Sequence, residues 1–176
     1  MVRDPRINGA HKYKLGASGW ELAWGEDAVA FIQWNNSMSV GNPSIDRDHR
    51  MLIQYVNEMH TAMAARQGKE IVGTILAKLV KYTHEHFGRE EIIWKSGGLA
   101  DLDRHKKMHV DLLRTVDQFK SKYDSGTAML SLDVMNFLRD WLTNHILKTD
   151  KAAAAAIAGK AAGSSAAASS GLSTGI

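Results

Sequence analysis

Cysteine is absent from this sequence, and only two prolines, Pro5 and Pro43, occur among its 176 residues. Without cysteine the chain can form neither disulfides nor thiolate sites for zinc or iron–sulfur clusters. Any metal ion must therefore be held by histidine and carboxylate side chains. The lack of cysteine also fits a reducing compartment. The scarcity of proline leaves most of the chain free to be helical.

Long apolar runs and dense charge of one sign are missing as well. No stretch is apolar enough to span a membrane, and residues 1–14 lack the apolar segment of a secretory signal. The net charge of +3 comes mostly from Lys151 and Lys160, because residues 1–33 are balanced and residues 34–150 are nearly neutral. No basic patch indicates nucleic-acid binding. We predict a cytoplasmic protein that binds neither nucleic acid nor membrane.

Composition divides the chain into three segments. Residues 1–33 form a mixed, glycine-containing N-terminal extension of unclear role, and residues 34–150 carry dense helical periodicity. Residues 151–176 are rich in alanine, serine and glycine. We expect residues 151–158 to extend the last helix, because alanine favours helix. The remainder has too little apolar bulk to pack, which predicts a flexible tail.

Apolar residues spaced by three or four predict four amphipathic helices within residues 34–150, at about 44–66, 70–95, 101–123 and 130–150. Ser44 or Asp46 is the expected cap of the first helix, and glycine-containing breaks separate the others. The inward faces are predicted to include Ile71 on the second helix and Phe137 on the fourth. Similar lengths and short connections predict an all-α, up-down-up-down antiparallel four-helix bundle.

Each predicted helix places histidine on its apolar face. His86 and Glu90 are four residues apart on the second helix, and His105 and His109 have the same spacing on the third. Asp150 follows His145 by five residues, about 140° around a regular helix, an offset that is weak evidence alone, although a carboxylate at a helix end can reach sideways. The predicted site residues are His49, His86, Glu90, His105, His109, His145 and Asp150.

Three nearby side chains are expected to play other roles. His84 lies about 200° around the helix from His86 and should face outward. His60 is expected at the surface or rim. Tyr82, one turn before His86, is expected to pack or to form a hydrogen bond behind the site residues.

One buried histidine is usually a hydrogen-bonded core residue, but five on four apolar faces are not explained that way. Buried imidazoles and carboxylates are costly unless they are paired or bind a cation. Two metal ions would satisfy all seven groups. Imidazole suits iron, copper, nickel and zinc, while carboxylates favour harder ions and can bridge two of them. Seven ligands are too few for two complete six-coordinate shells, which leaves a position open for a small ligand.

The motifs around these residues resemble those of one family. "VGNPSIDRDHRMLI" surrounds His49, "HFGREE" begins at His86, "HKKMH" spans residues 105–109 and "HILKTD" spans residues 145–150. With these motifs, residues 34–150 resemble bacterial hemerythrins (bacteriohemerythrins), the non-haem di-iron, O2-binding four-helix bundles. Trp94 stands where the family often has methionine, which implies a change in the O2 pocket or in autoxidation.

The resemblance implies a role for each site residue. His105, His109 and His145 would hold one iron, and His49 and His86 the other. Glu90 and Asp150 would bridge the two non-haem irons together with an oxo or hydroxo group. The two-histidine iron would bind O2, which two electrons and a proton convert to hydroperoxide. The implied function is reversible, non-enzymatic O2 binding for storage, delivery or sensing, with an unidentified redox or O2-accepting protein as a candidate partner.

Two other functions stay open at this point. One is a peroxide- or nitric-oxide-reducing di-iron enzyme on the same scaffold, which turnover of those substrates would indicate. The other is a metal-stabilised interaction module, holding for example zinc, whose function lies in residues 1–33. Di-iron oxygenases and ferritin-like proteins are disfavoured, because they use mainly carboxylates with Glu-x-x-His on two helices.

Overall fold

The computed structural model describes residues 30–170, and the surroundings of side chains through residue 162. A short 3₁₀ turn, Asn36–Met38, leads into the helices, and a π-helical turn, His145–Asp150, joins the last two of them. The helices are α1 (Pro43–Ala64), α2 (Lys69–Ser96), α3 (Leu102–Asp124), α4 (Leu132–Asn144) and α5 (Lys151–Ser170). No strand occurs in the described range. The predicted all-α four-helix bundle is confirmed; the first three helices lie within a few residues of the expected bounds, and the fourth is followed by a π turn and a further helix.

The cap of α1 differs from both predicted candidates. The side-chain oxygen of Asn42 accepts hydrogen bonds from the backbone N–H groups of Ser44 and Ile45, at 3.0 and 3.3 Å. Pro43 occupies the first helical position, where a missing N–H costs nothing. Asp46 instead accepts from the Ser39 hydroxyl at 2.6 Å. The carboxylate therefore ties down the segment that precedes the helix.

The core lies between α1, α2 and the helices that flank them. α1 packs against α2 and α4, and α2 packs against α3. Two residues predicted to face inward are largely exposed, Ile71 at 50% and Phe137 at 43%. The buried stripe of α2 instead begins at Val72 and continues through Leu76, so the start of the helix is rotated by one residue from the prediction. Phe137 lines a cavity whose walls come from α1, α2, α3 and α4.

The packed unit extends upstream of the predicted boundary at residue 34. Its compact part begins at Phe31, and Ile32 is buried. The Asn57 side chain accepts a hydrogen bond from the Ile32 N–H at 2.8 Å and donates one to the Ile32 carbonyl at 2.9 Å. This paired contact fixes the chain to α1. The rest of the predicted N-terminal extension, residues 1–29, lies outside the described residues.

The helical run after the π turn is longer than the expected extension to residue 158. α5 continues to Ser170, so most of the predicted tail is helical, and residues 171–176 lie outside the described range. Ala153 and Ile157 pack against Trp94 and Ile45, so the start of this alanine-rich helix is fixed to the bundle. Among the described helices, none combines the length and hydropathy that crossing a bilayer requires.

Candidate metal centre

The seven predicted site residues come together in the interior of the bundle. All are at most 4% exposed, and four of them, His49, Glu90, His109 and Asp150, are fully buried. They form two neighbouring groups. The larger group is Glu90, His105, His109, His145 and Asp150, and the smaller is His49, His86 and Glu90. Helical spacing on four separate helices therefore produces one continuous site. That these residues bind metal stays a prediction at this point.

The ligand atoms of the larger group have the spacing of a coordination shell. His109 Nε2 and His145 Nε2 are 3.0 Å apart, and Glu90 Oε2 lies 3.2 Å from His109 Nε2 and 3.3 Å from His105 Nε2. Metal–ligand bonds of about 2.0–2.2 Å place neighbouring atoms of an octahedral shell roughly 3 Å apart. The observed spacing fits that geometry.

The two carboxylates connect the groups. Glu90 belongs to both of them. Asp150 directs Oδ1 towards His145 Nε2 at 3.1 Å and His105 Nε2 at 3.4 Å, and Oδ2 towards His49 Nε2 at 3.3 Å. One oxygen of Asp150 thus faces each group, which is the arrangement a bridging carboxylate needs.

Several polar atoms of the site have no hydrogen-bond partner despite complete burial. They are both ring nitrogens of His49, Nδ1 of His145, Oε1 of Glu90 and both oxygens of Asp150. An unpaired buried polar group costs about 1–3 kcal/mol, and a charged one costs more. A cation bound among these lone pairs would remove that cost for most of them. The donor set therefore fits a metal centre better than it fits a hydrogen-bonded core.

The electrostatics keep the carboxylates ionised. Burial alone would raise the pKa of Glu90, but hydrogen bonds from His105 and His109 hold that pKa well below its ordinary value. Burial likewise opposes ionisation of Asp150, while the contacts with His145 and His49 lower its pKa. Burial alone would lower the pKa of His105, but the hydrogen bond and the charge of Glu90 outweigh it and raise that pKa. A metal ion would compete with a proton for the His105 imidazole, and the raised pKa strengthens that competition.

A π turn brings Asp150 to the same side of the helix as His145. On a regular α-helix Asp150 would lie well away from the face of His145, and we expected it to reach sideways from a helix end. Instead the helix continues into α5, and residues 145–150 form a π turn. Hydrogen bonding from i to i+5 widens the turn, so residues five apart come close together. Asp150 and His145 consequently face the same interior space.

Aromatic rings hold two of the histidines from behind. Phe87 stacks on His109 with ring centroids 3.7 Å apart and planes 1° apart, and Trp141 stacks on His145 at 4.3 Å and 12°. Both aromatic rings also line an apolar cavity of about 290 Å³ whose walls come from α1, α2, α3 and α4. Trp94, which replaces the methionine expected from the resemblance, is buried, and its ring meets that of His105 edge-on with centroids 6.4 Å apart. It lies beside the larger group.

Two carboxylates behind the site were missed by sequence reasoning. Glu91 Oε1 lies 3.0 Å from His109 Nδ1 and Asp48 Oδ2 lies 3.4 Å from His86 Nδ1. Glu91 stands about 100° around α2 from Glu90 and therefore off the apolar face on which the site residues were sought. The adjacency of Asp48 to His49 was the available signal, but its contact is with a different helix.

Asp48 is held by two further donors on α2. The Tyr82 hydroxyl donates to Asp48 Oδ1 at 2.7 Å, which confirms the expected hydrogen bond behind the site, and Arg89 Nε donates to Oδ2 at 2.9 Å. Burial opposes ionisation of Asp48, but the bonds with His86, Arg89 and Tyr82 outweigh it and lower its pKa strongly. Burial and the Asp48 carboxylate raise the pKa of Tyr82 to about 12.

The outward prediction for His84 is also confirmed. Its Nε2 atom lies 3.1 Å from Asp117 Oδ2 in an exposed pair between α2 and α3. His60 is partly buried and stacks on Phe31 at 4.2 Å, consistent with a place at the rim of the bundle.

Known proteins with similar sequences share this region. The model of the Hemerythrin HHE cation binding domain matches residues 40–157. The chain is 36% identical over 106 residues to a bacteriohemerythrin of Methylococcus capsulatus, covering 60% of this chain and 80% of the relative. It is 31% identical over 118 residues to a myohemerythrin of Theromyzon tessulatum, covering 67% and 87%.

Solved structures agree with the sequence matches. A wild-type hemerythrin crystal structure aligns with a TM-score of 0.66 at 32% identity, covering 69% of this chain and 94% of the other. The matched region contains all seven residues of the site, and the buried histidine and carboxylate cluster is that of a non-haem iron site. The chain therefore belongs to the hemerythrin family.

Proposed function

We propose that this protein binds O2 reversibly at a non-haem di-iron centre formed by the seven converging residues, for storage, delivery or sensing. The observation that carries the proposal is the sharing of carboxylates between two ligand groups. Glu90 belongs to both groups, and the two oxygens of Asp150 face opposite groups. That arrangement suits two adjacent cations better than one. Membership of the hemerythrin family supports iron as the metal and O2 as the ligand.

In this proposal the residues divide as the two groups do. His105, His109 and His145 hold one iron, and His49 and His86 hold the other. Glu90 and Asp150 would bridge them, and an oxo or hydroxo group would complete the bridge. When bound, the iron pair would supply the two electrons, and the centre the one proton, that convert O2 to hydroperoxide on uptake. The smaller group has fewer protein ligands, so its metal is the one with space for O2.

The protein contributes a dry surrounding and fixed ligands. The site residues are almost completely removed from solvent, and exclusion of water protects a reactive centre from side reactions. The apolar cavity behind Phe87 and Trp141 offers uncharged O2 a favourable environment close to the site. Stacking of Phe87 on His109 and of Trp141 on His145 restricts rotation of these two imidazoles.

The test is iron content measured together with visible absorption. Protein purified without O2 is aerated and then returned to low O2. We expect two irons per chain and colour that appears with O2 and fades on its removal. Colour that never fades would contradict reversible binding and would favour redox chemistry. A colourless protein with stoichiometric zinc would contradict the iron assignment and favour a metal-stabilised interaction module.

Turnover of peroxide or nitric oxide distinguishes the enzymatic alternative from O2 binding. The same iron-loaded protein is supplied with an electron donor and either peroxide or nitric oxide. Sustained consumption of either substrate, faster than by protein with His109 replaced by alanine, would show a di-iron reductase. We expect no such turnover from an O2-binding protein.

A further inference from the structure

The Asp48, Tyr82 and Arg89 side chains form a buried-to-surface hydrogen-bond chain that ends on one site histidine. Asp48 is 6% exposed, and the side chain of Arg89 is 42% exposed. Asp48 Oδ2 lies between His86 Nδ1 and Arg89 Nε, while its other oxygen accepts from the Tyr82 hydroxyl. The chain therefore connects His86, deep in the bundle, to a cation at the surface.

We propose that Asp48 is a positioning residue for His86, and that Arg89 sets the redox balance of the two irons through it. The inference rests on the proposed di-iron function. His86 belongs to the smaller group, and its Nε2 is the atom left to bind metal once Nδ1 faces Asp48. A carboxylate at the outer nitrogen fixes the tautomer and orientation of a ligating imidazole and makes it a stronger donor.

The two donors on Asp48 moderate that effect. Arg89 and Tyr82 both draw electron density from the carboxylate at shorter distances, 2.9 and 2.7 Å, than the 3.4 Å to His86. Removing Arg89 would leave Asp48 a stronger acceptor for the His86 N–H and would make His86 a stronger donor to iron. Removing the charge of Asp48 would do the opposite. A stronger anionic donor favours iron(III) over iron(II), so the two changes act in opposite directions.

The other group has a different environment behind it. Glu91 faces His109 Nδ1 at 3.0 Å, and the nearest cation to Glu91 is Lys106 at 3.6 Å. That cation approaches the carboxylate less closely than Arg89 approaches Asp48. The two irons would therefore differ in the donor strength of their histidines as well as in ligand number. Arg89 is the residue through which the donor strength of His86 can be changed.

The experiment uses Asp48→Asn, Arg89→Gln and the double variant in the full chain, with iron potentials measured by dye-mediated titration without O2. Asp48→Asn should raise the midpoint potential and lower metal affinity roughly 10- to 100-fold. Arg89→Gln should lower the potential. The double variant should match Asp48→Asn alone, because Arg89 would act through the missing carboxylate. Asp117→Asn is the matched control, since it removes a carboxylate from the exposed His84 and should leave the potential unchanged.

Three results would overturn the inference. They are shifts of both single variants in the same direction, a double variant equal to the sum of the singles, or an Asp48→Asn protein indistinguishable from the wild type. Tyr82→Phe provides a variant that keeps the charge of Asp48, and it should lower the potential by less than Arg89→Gln. If it raises the potential, the inference fails even where Asp48→Asn does not fold.

A measurement on zinc-loaded protein separates this inference from the proposed function. In that form the His86 Nδ1 proton should be observed by NMR and should shift in Asp48→Asn but not in Asp117→Asn. A wild type that binds two irons and O2 while the variants leave potential and proton unchanged refutes only the positioning role. A wild type that does not bind O2 refutes the proposed function, while the zinc measurement still decides the role of Asp48.

Discussion

Replacing His109 with alanine should empty the centre and weaken the bundle, whereas replacing His84 should do neither. His109 is fully buried between Phe87, which stacks on its ring, and the carboxylates of Glu90 and Glu91. His84 lies on the same bundle but at its surface, paired only with Asp117. The two variants therefore remove the same side chain from opposite environments.

The magnitude follows from what each ring contacts. Truncating a large buried side chain costs about 2–5 kcal/mol, and here two carboxylates also lose a partner. For a chain of this size that corresponds to roughly 4–20 °C in the melting temperature of the metal-free protein. An exposed ion pair contributes about 0–1 kcal/mol, so His84→Ala should melt close to the wild type.

The assay combines iron per chain with thermal unfolding of metal-free and iron-loaded protein. His109→Ala should lose most of the iron and most of the difference in melting temperature between the two forms, because binding to the native state stabilises it. His84→Ala should retain both. If the two variants behave alike, or if His109→Ala keeps two irons, the facing of α2 and α3 towards one centre is wrong.

Three further predictions concern the supports of the site. Gly97→Ala should destabilise the docking of α5 by about 1–3 kcal/mol, because the added carbon would lie 2.7 Å from Ile157 Cδ1. Chemical unfolding checks this, and adding Gly97→Ala to an Ile157→Ala protein should cost much less, because the clashing side chain is then absent. Below about pH 4, the metal-free wild type should lose stability more steeply than Asp48→Asn. The lowered pKa of Asp48 stabilises the fold above the pKa of the unfolded chain, and that stabilisation disappears as the pH falls towards the pKa of the folded state. Melting temperatures that fall in parallel with pH for both proteins would refute this. Metal affinity should fall as the pH decreases through the raised pKa of His105, and titration with release of protons into a weak buffer measures it; a pH-independent affinity with no proton release would contradict it.

Much of the architecture could be predicted from spacing alone. The repeat of three and four defines amphipathic helices whatever their neighbours, and the pairs His86/Glu90 and His105/His109 follow from one turn of helix. Because each helix must bury its apolar face, histidines on those faces had to meet in one interior. The identity of the converging residues was thus contained in the sequence.

The sequence predictions were wrong where packing against a neighbouring element outweighs the local pattern of apolar and polar residues. Ile71 continues the periodic stripe of α2, but the packing of its first turn buries Val72 instead. Asn42 and Ser44 are both good capping residues, and the backbone at Pro43 decides between them. The alanine-rich segment has almost no amphipathic pattern, yet α5 is held by contacts of Ile157 with the end of α2.

What the sequence by itself determined is the set of helices, the faces they bury and the ligand types those faces carry. Only the tertiary structure decided that Asp150 joins the centre through a π turn, and that Asp48 and Glu91 lie behind histidines of other helices. The physical reason is the range of the interactions. Helical periodicity acts over one or two turns of the same chain segment, whereas a hydrogen bond between helices depends on how two separate segments are rotated and placed against each other.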